Sequence, residues 1–225
     1  MPARRPAPLL TLLLTLLLGL VAGCGDSAGS GGQTAPVTNT GAAHAAESGG
    51  DGYRGIGLTQ PYRMPDITLT DSTGSPYNLR RDTTKPVTLV FFGYTHCPDV
   101  CGLVMADMAA AMLQLEEPLA QDVQVLFVST DPARDTPAVV KRYVDRFHPA
   151  FEGLTGPLPE IKAAAAPLGV PIEGMNRLPS GGYKVGHGSQ IIGFAADDTA
   201  RVVWTQGTPV DDLAADIHTL ARARG

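Results

Sequence analysis

The sequence predicts an α/β domain with a central mixed β-sheet flanked by helices. Three observations predict it: two continuous apolar runs at 87–92 and Val123–Ser129, a helical stretch after each, and a strand pair followed by a helix at the C-terminal end. An unbroken apolar run rich in β-branched residues marks a strand covered on both faces, as parallel strands are.

Residues 67–70 and 77–79 flank Asp71-Ser72-Thr73-Gly74, a turn composition, and predict a small N-terminal β-hairpin. Residues 87–92 form the first buried strand, broken by Gly93-Tyr94-Thr95-His96. A helix is expected to start near Pro98, because proline is favoured at the first helical position. It should run through Met105, Met108 and Met112 to Leu115, before Glu116-Glu117-Pro118 ends it. Val123–Ser129 is the second buried strand, and Asp131-Pro132 and Asp135-Thr136-Pro137 are turn and helix-start signals for a helix over 138–147. Gly153-Leu154-Thr155-Gly156 is expected as a short link and 158–168 as a further helix. Tyr183-Lys184-Val185-Gly186-His187 leads into a strand over 189–195; 201–204 pairs back across an Asp197-Asp198 turn, and 211–222 closes the chain as a helix. This β-α-β-α-β-β-α order, with right-handed crossovers, is the thioredoxin-like one, and pattern alone leaves other α/β folds open.

Ahead of the domain, Arg4 and Arg5 precede an apolar run of 14 residues from Leu9 to Ala22. That is signal-peptide length, short of the roughly 20 residues needed to span a bilayer. The run exits through Val21-Ala22-Gly23-Cys24, which resembles a bacterial lipoprotein processing site. Residues 1–23 are therefore expected as a lipoprotein-type signal peptide, Cys24 as the lipidated residue, and 24–57, rich in Gly, Ser, Ala and Thr, as a flexible tether to a domain over 58–225. The alternatives are an ordinary signal peptide or an uncleaved anchor, with Cys24 incidental. Each places the domain outside the cytoplasm; the lipoprotein reading puts it at the extracytoplasmic face of a bacterial cell membrane. The formal charge of −5 argues against a nucleic-acid partner, which requires a basic patch.

Cys97-Pro98-Asp99-Val100-Cys101 lies just past the first buried strand, at the expected helix start. Positions i and i+4 of a helix face the same way, so both sulfurs reach one small volume. That volume lies at the carboxyl end of a parallel strand, where open α/β sheets place ligands. The helix's free N–H groups and the positive end of its dipole favour thiolate. Three roles are open. A structural Cys97–Cys101 disulfide would close a loop too small to remove much chain entropy. A catalytic dithiol would resemble thioredoxins, which have two intervening residues rather than three. A metal site suits two thiolates joined by a third ligand: soft Cu(I), or also Cu(II) once an imidazole takes part.

Of the five histidines, His44 lies in the tether, His218 in the last helix as a surface residue, and His148 before Pro149 at a helix end. His96 abuts Cys97 with its side chain expected to point away from the pair. His187 stands between Gly186 and Gly188 just before the strand at 189–195. In a thioredoxin-like sheet that loop comes beside the first helix's N-terminus, and its glycines let the ring swing in.

These segments resemble the Sco family (SCO1/SenC), the synthesis-of-cytochrome-oxidase proteins. The matching residues are Phe91-Phe92-Gly93-Tyr94-Thr95-His96-Cys97-Pro98-Asp99-Val100-Cys101, Ser129-Thr130-Asp131-Pro132-Ala133-Arg134-Asp135-Thr136-Pro137, Gly153-Leu154-Thr155-Gly156 and His187. The resemblance implies a copper metallochaperone, not an enzyme, with Cys97, Cys101 and His187 as ligands of Cu(I) or Cu(II). Its implied partner is the CuA domain of cytochrome c oxidase subunit II, with room for an upstream copper chaperone. The alternative it implies is a thiol-disulfide reductase that keeps the CuA cysteines reduced, with Cys97 and Cys101 cycling through a disulfide. Two departures stand out. Gly102 replaces a frequent proline and is expected to loosen the helix start; Gly186 replaces a usual aspartate and is expected to remove a charge near the site. Asp131, Arg134 and Asp135 read as turn geometry and capping rather than catalysis. A peroxidase of Thr-x-x-Cys type is disfavoured, because Thr95 stands only two residues before Cys97.

Overall fold

A computed structural model describes residues 52–179 and 182–223. The expected signal peptide, Cys24, His44 and nearly all of the expected tether lie outside the described residues. The elements run β1 (Ile56–Arg63), β2 (Thr68–Asp71), β3 (Pro76–Asn78), β4 (Val87–Gly93), α1 (Cys101–Leu113), α2 (Glu117–Gln121), β5 (Val123–Ser129), α3 (Pro137–Val144), β6 (Phe151–Thr155) and α4 (Leu158–Ala165). They continue, after a 3₁₀ turn at Ala166–Leu168, with β7 (Ile172–Arg177), β8 (Tyr183–His187), β9 (Ile191–Phe194), β10 (Thr199–Trp204) and α5 (Val210–Arg222).

Eight strands form one mixed sheet in the order β1-β10-β9-β4-β5-β6-β2-β3, while β7 and β8 form a separate two-stranded sheet. The centre, β4-β5-β6, is parallel, and β9 and β10 pair back antiparallel. Strand alternation divides the core between the two faces. On one, Leu89, Phe91, Val125 and Phe127 pack with Val104, Met105 and Met108 of α1, Val140 and Val144 of α3, and Ile217 and Leu220 of α5. On the other, Val90, Phe92, Leu126 and Val128 pack with Ile161, Ala164 and Leu168. Both faces are covered, which is why β4 and β5 read as unbroken apolar runs. The mixed sheet flanked by helices and the β2–β3 hairpin are as expected.

Several details differ. Glu117 and Pro118, expected only to end a helix, begin α2, and β1 begins at Ile56, inside the stretch expected as tether. Gly153 to Thr155, expected as a link, lie in β6, parallel to β5. The glycine is there for close packing rather than for a turn: a Cβ on Gly153 would meet Val140 Cγ1 at 2.3 Å, so its absence lets α3 close onto the sheet. Helix α1 begins at Cys101, not near Pro98. The first bond of the helix runs from the Val104 N–H to the Val100 carbonyl at 3.0 Å, one turn later than a start at Pro98 would place it. The edge strand β1 was not anticipated, because Gly57 and Pro61 interrupt its pattern, and its ladder slips between Gly57 and Tyr62. Strand β7 was missed because most of its residues are exposed and carry no period-two pattern.

At the N-terminal edge, Asp216 of α5 is 1% exposed. It accepts three bonds of 2.8 Å, from the Arg54 and Gly55 N–H groups and from Trp204 Nε1. A buried carboxylate satisfied by three donors ties β1, β10 and α5 together. Asp216→Ala leaves buried donors unpaired and should cost about 3 kcal/mol of unfolding free energy, measured by urea denaturation. A loss below about 1 kcal/mol would show that the donors find water instead.

Candidate metal centre

The parallel pairing of β4 with β5 aligns Gly93 with Ser129, so the chain leaves both strands at the same end of the sheet. Thr130 closes the gap, its N–H and hydroxyl donating to the Gly93 carbonyl at 2.7 and 3.1 Å. From Gly93 the chain turns through Tyr94–Thr95–His96 to Cys97 and then to Cys101, the first residue of α1. His187 arrives from the opposite side as the last residue of β8.

These three residues converge. The Cys97 and Cys101 sulfurs and an imidazole nitrogen of His187 all lie within 4.8 Å of one another. Cys101 is buried, and Cys97 and His187 are half-buried. His187 Nε2 stands 3.5 Å from Cys101 Sγ. Its Nδ1 is 2.7 Å from the Gly188 carbonyl oxygen, an atom that only accepts, so Nδ1 carries the proton and Nε2 faces the sulfurs. Phe91 and Tyr94 meet the imidazole edge-on, with centroids at 6.3 and 5.6 Å. Two sulfurs and an imidazole nitrogen converging beside an aromatic wall form a donor set that fits a soft metal ion.

Both cysteines are free thiols here, so the Cys97–Cys101 disulfide weighed from the sequence is not the state described. Their acidities diverge. Cys97 is pulled down to about 3, chiefly by the hydrogen bond from the Cys101 thiol; burial opposes this, and the N–H groups of Cys101 and Asp99 add to it. Cys101 is pushed up by the same bond and by burial, against the Tyr94 N–H that favours its thiolate. The pair shares one proton, held on Cys101. Burial and then the Cys97 charge push Tyr94 up to about 12, so it stays a neutral phenol.

Asp135 is fully buried and accepts from the Thr95 N–H at 2.9 Å, the Thr95 hydroxyl at 2.6 Å and the Ser129 hydroxyl at 2.6 Å. The Asp131–Asp135 segment is a turn, with the Arg134 and Asp135 N–H groups on the Asp131 carbonyl, and it also braces the cysteine loop. His96 turns toward Thr95 Oγ1 at 2.9 Å and Asp135 at 3.7 Å, away from the pair. His148 accepts the Ala150 N–H at 3.2 Å and His218 sits on α5; neither joins the centre. At Gly186 the lost charge is replaced: the Glu173 carboxylate of β7 lies over it, Oε2 2.6 Å from where a Cβ would stand. At Gly102 a Cβ would meet nothing within 4 Å. The sequence reading assigned no role to Tyr94, Tyr183 or Glu173, since each acts through a cross-strand or cross-loop neighbour that leaves no local pattern.

The SCO1/SenC family profile matches residues 59–222. "Protein SCO1 homolog 1, mitochondrial" of Arabidopsis thaliana is 43% identical over 101 residues, 41% of this chain and 30% of that protein. A "putative copper-binding protein" of Stutzerimonas stutzeri is 30% identical over 145 residues, 64% of this chain and 70% of that one. The crystal structure of Arabidopsis thaliana ScoI with copper bound superposes with a TM-score of 0.64 at 30% identity, covering 74% of this chain and 98% of that one. The matches span 30–52% of the length of six mitochondrial relatives.

The lowered Cys97 thiol has a direct readout. Iodoacetamide should alkylate Cys97 at pH 5, where a thiol at the ordinary 9.0 is almost wholly protonated, and the rate should decline only toward pH 3. Cys101 should resist modification through neutral pH. A Cys97 rate climbing tenfold per pH unit from 5 to 8 would contradict the assignment; mass spectrometry of quenched samples resolves the two sites.

Proposed function

Because the chain belongs to the SCO1/SenC family, we propose that Cys97, Cys101 and His187 bind copper and that the protein carries it to an acceptor outside the cytoplasm. The observation that carries this reading is the convergence of two sulfurs and one imidazole nitrogen within 4.8 Å. It is supported by the similarity to Arabidopsis thaliana ScoI, solved with copper bound, and to the putative copper-binding protein of Stutzerimonas stutzeri.

Each ligand contributes differently. Cys97 meets the metal already as a thiolate. Cys101 releases its proton on binding, so uptake near neutral pH should free about one proton. His187 presents Nε2 because Gly188 holds Nδ1–H. The two thiolates suit Cu(I), and the imidazole extends the site to Cu(II). The acceptor we infer is the CuA domain of cytochrome c oxidase subunit II, with an upstream copper chaperone as donor. The protein then turns over no substrate of its own. A lipid on Cys24, outside the described residues, would hold it at the extracytoplasmic face of the membrane; unlabelled Cys24 after growth on radioactive palmitate would sink that part.

A second reading rests on the thiolate–thiol asymmetry, which also equips the pair for disulfide reduction. The Cys97 thiolate would attack an acceptor disulfide and form a mixed disulfide. Cys101, deprotonated, would then displace the acceptor thiolate, leaving a Cys97–Cys101 disulfide and a two-electron-reduced partner.

Metal titration tests the first reading. Wild-type protein should bind one copper, and His187→Ala should lose Cu(II) affinity at least about tenfold and change its thiolate charge-transfer spectrum. An unchanged affinity and spectrum would rule out the three-ligand site. Mixing copper-loaded protein with an apo CuA domain separates the readings. Growth of CuA absorption with a reduced acceptor indicates delivery. Restoration only from an oxidised acceptor mixed with metal-free dithiol protein and free copper indicates reduction.

A further inference from the structure

The strand that ends in His187 belongs to a hairpin outside the main sheet. Strands β7 and β8 pair only with each other, and Glu173 to Arg177 of β7 are exposed. At the other end of β8, four residues before His187, Tyr183 is held by the segment that follows β5. Its hydroxyl donates to Asp131 Oδ1 at 2.9 Å. The Arg134 guanidinium lies 3.7 Å over its ring and reaches its backbone carbonyl at 3.5 Å. Arg134 also forms an ion pair with Asp131, whose side chain is 3% exposed. The guanidinium also lies over the Tyr94 ring, 5.7 Å from its centroid. Tyr94 in turn meets the His187 imidazole edge-on.

Arg134 therefore lies over one aromatic ring from the cysteine loop and one from the histidine hairpin. We propose that the Asp131–Arg134–Tyr183 clamp positions the β7–β8 hairpin so that His187 reaches the sulfurs, and thereby sets the preference of the site for Cu(II) over Cu(I). The inference rests on the copper reading above. Its logic is a division of labour among the ligands. The sulfurs are braced separately, through Thr95 and Asp135, and two thiolates suffice for Cu(I). Cu(II) draws on the imidazole, and the imidazole depends on the hairpin. A short strand transmits a displacement at Tyr183 to His187, because its ladder with β7 joins Tyr183 to Arg177 and His187 to Ile172. Asp131, Arg134 and Tyr183 are positioning residues, not ligands.

Tyr183→Phe removes only the hydroxyl bond and keeps the ring beneath Arg134; Arg134→Ala removes the ion pair and the stack. Cu(II) and Cu(I) affinities of both variants are measured by competition against chelators, beside wild type and His187→Ala. Thermal unfolding of the metal-free forms checks that each variant folds. Cu(II) affinity should fall about tenfold in Arg134→Ala and by a smaller factor in Tyr183→Phe, as for outer partners of metal ligands. Cu(I) affinity should stay within about twofold, and the Cu(II) spectrum should move toward that of His187→Ala. Parallel losses for both ions, or unchanged Cu(II) binding and spectrum in a folded Tyr183→Phe, would overturn the clamp alone. Wild-type protein that binds neither ion would overturn the copper reading and the clamp with it.

Discussion

The carboxylate of Asp135, buried beneath the loop that carries Cys97, is the constraint on which the centre depends. It takes two bonds from Thr95 and one from Ser129, and so joins the chain leaving β4 to the chain leaving β5. A buried carboxylate with its donors in place is stable only in the arrangement that supplies all of them. The cysteine loop consequently has one position relative to the sheet. The parallel register that aligns Gly93 with Ser129 makes this possible, because it brings both loops to the same edge. Helix α1 then starts at Cys101, four residues beyond Cys97.

The electrostatics of the pair follow from that placement. A sulfur facing a thiol donor and two backbone N–H groups is stabilised as an anion, while its partner, more deeply buried and facing that anion, keeps its proton. The result is one sulfur held as thiolate and one held as thiol. The same asymmetry serves attack on a disulfide, which is why metal carriage and thiol exchange are chemically adjacent uses of one pair. The imidazole has the looser attachment: it sits at the end of a two-stranded arm rather than in the main sheet.

Much of this was legible in residue order. Val87 to Phe92 and Val123 to Ser129 could be assigned as buried strands because burial on both faces demands an unbroken apolar run. The cysteine pair was legible because two sulfurs near the start of a helix, after such a strand, have few other uses. Gly153 misled because two glycines in four residues, at 153 and 156, carry a turn signal, and only the approach of Val140 shows that Gly153 is there for packing. Strands β1 and β7 were missed because edge and arm strands are exposed, and exposure erases the alternation on which strand recognition relies. Gly186 looked like a lost charge, since the Glu173 carboxylate that lies over it comes from a different strand.

The sequence by itself determined the fold class, the thiol pair as a candidate site and the candidacy of His187. These rest on local composition and on spacing along one chain, which periodic hydrophobicity and turn chemistry make readable. Only the tertiary structure decided that His187 Nε2 faces the sulfurs, that the shared proton sits on Cys101, and that Asp135 bonds the cysteine loop while Asp131 and Arg134 bond Tyr183 of the histidine hairpin. Apart from the proton, which is shared within the Cys97–Cys101 pair, each is a relation between residues 40 to 86 positions apart. Such relations depend on sheet register and loop closure, which no local pattern encodes.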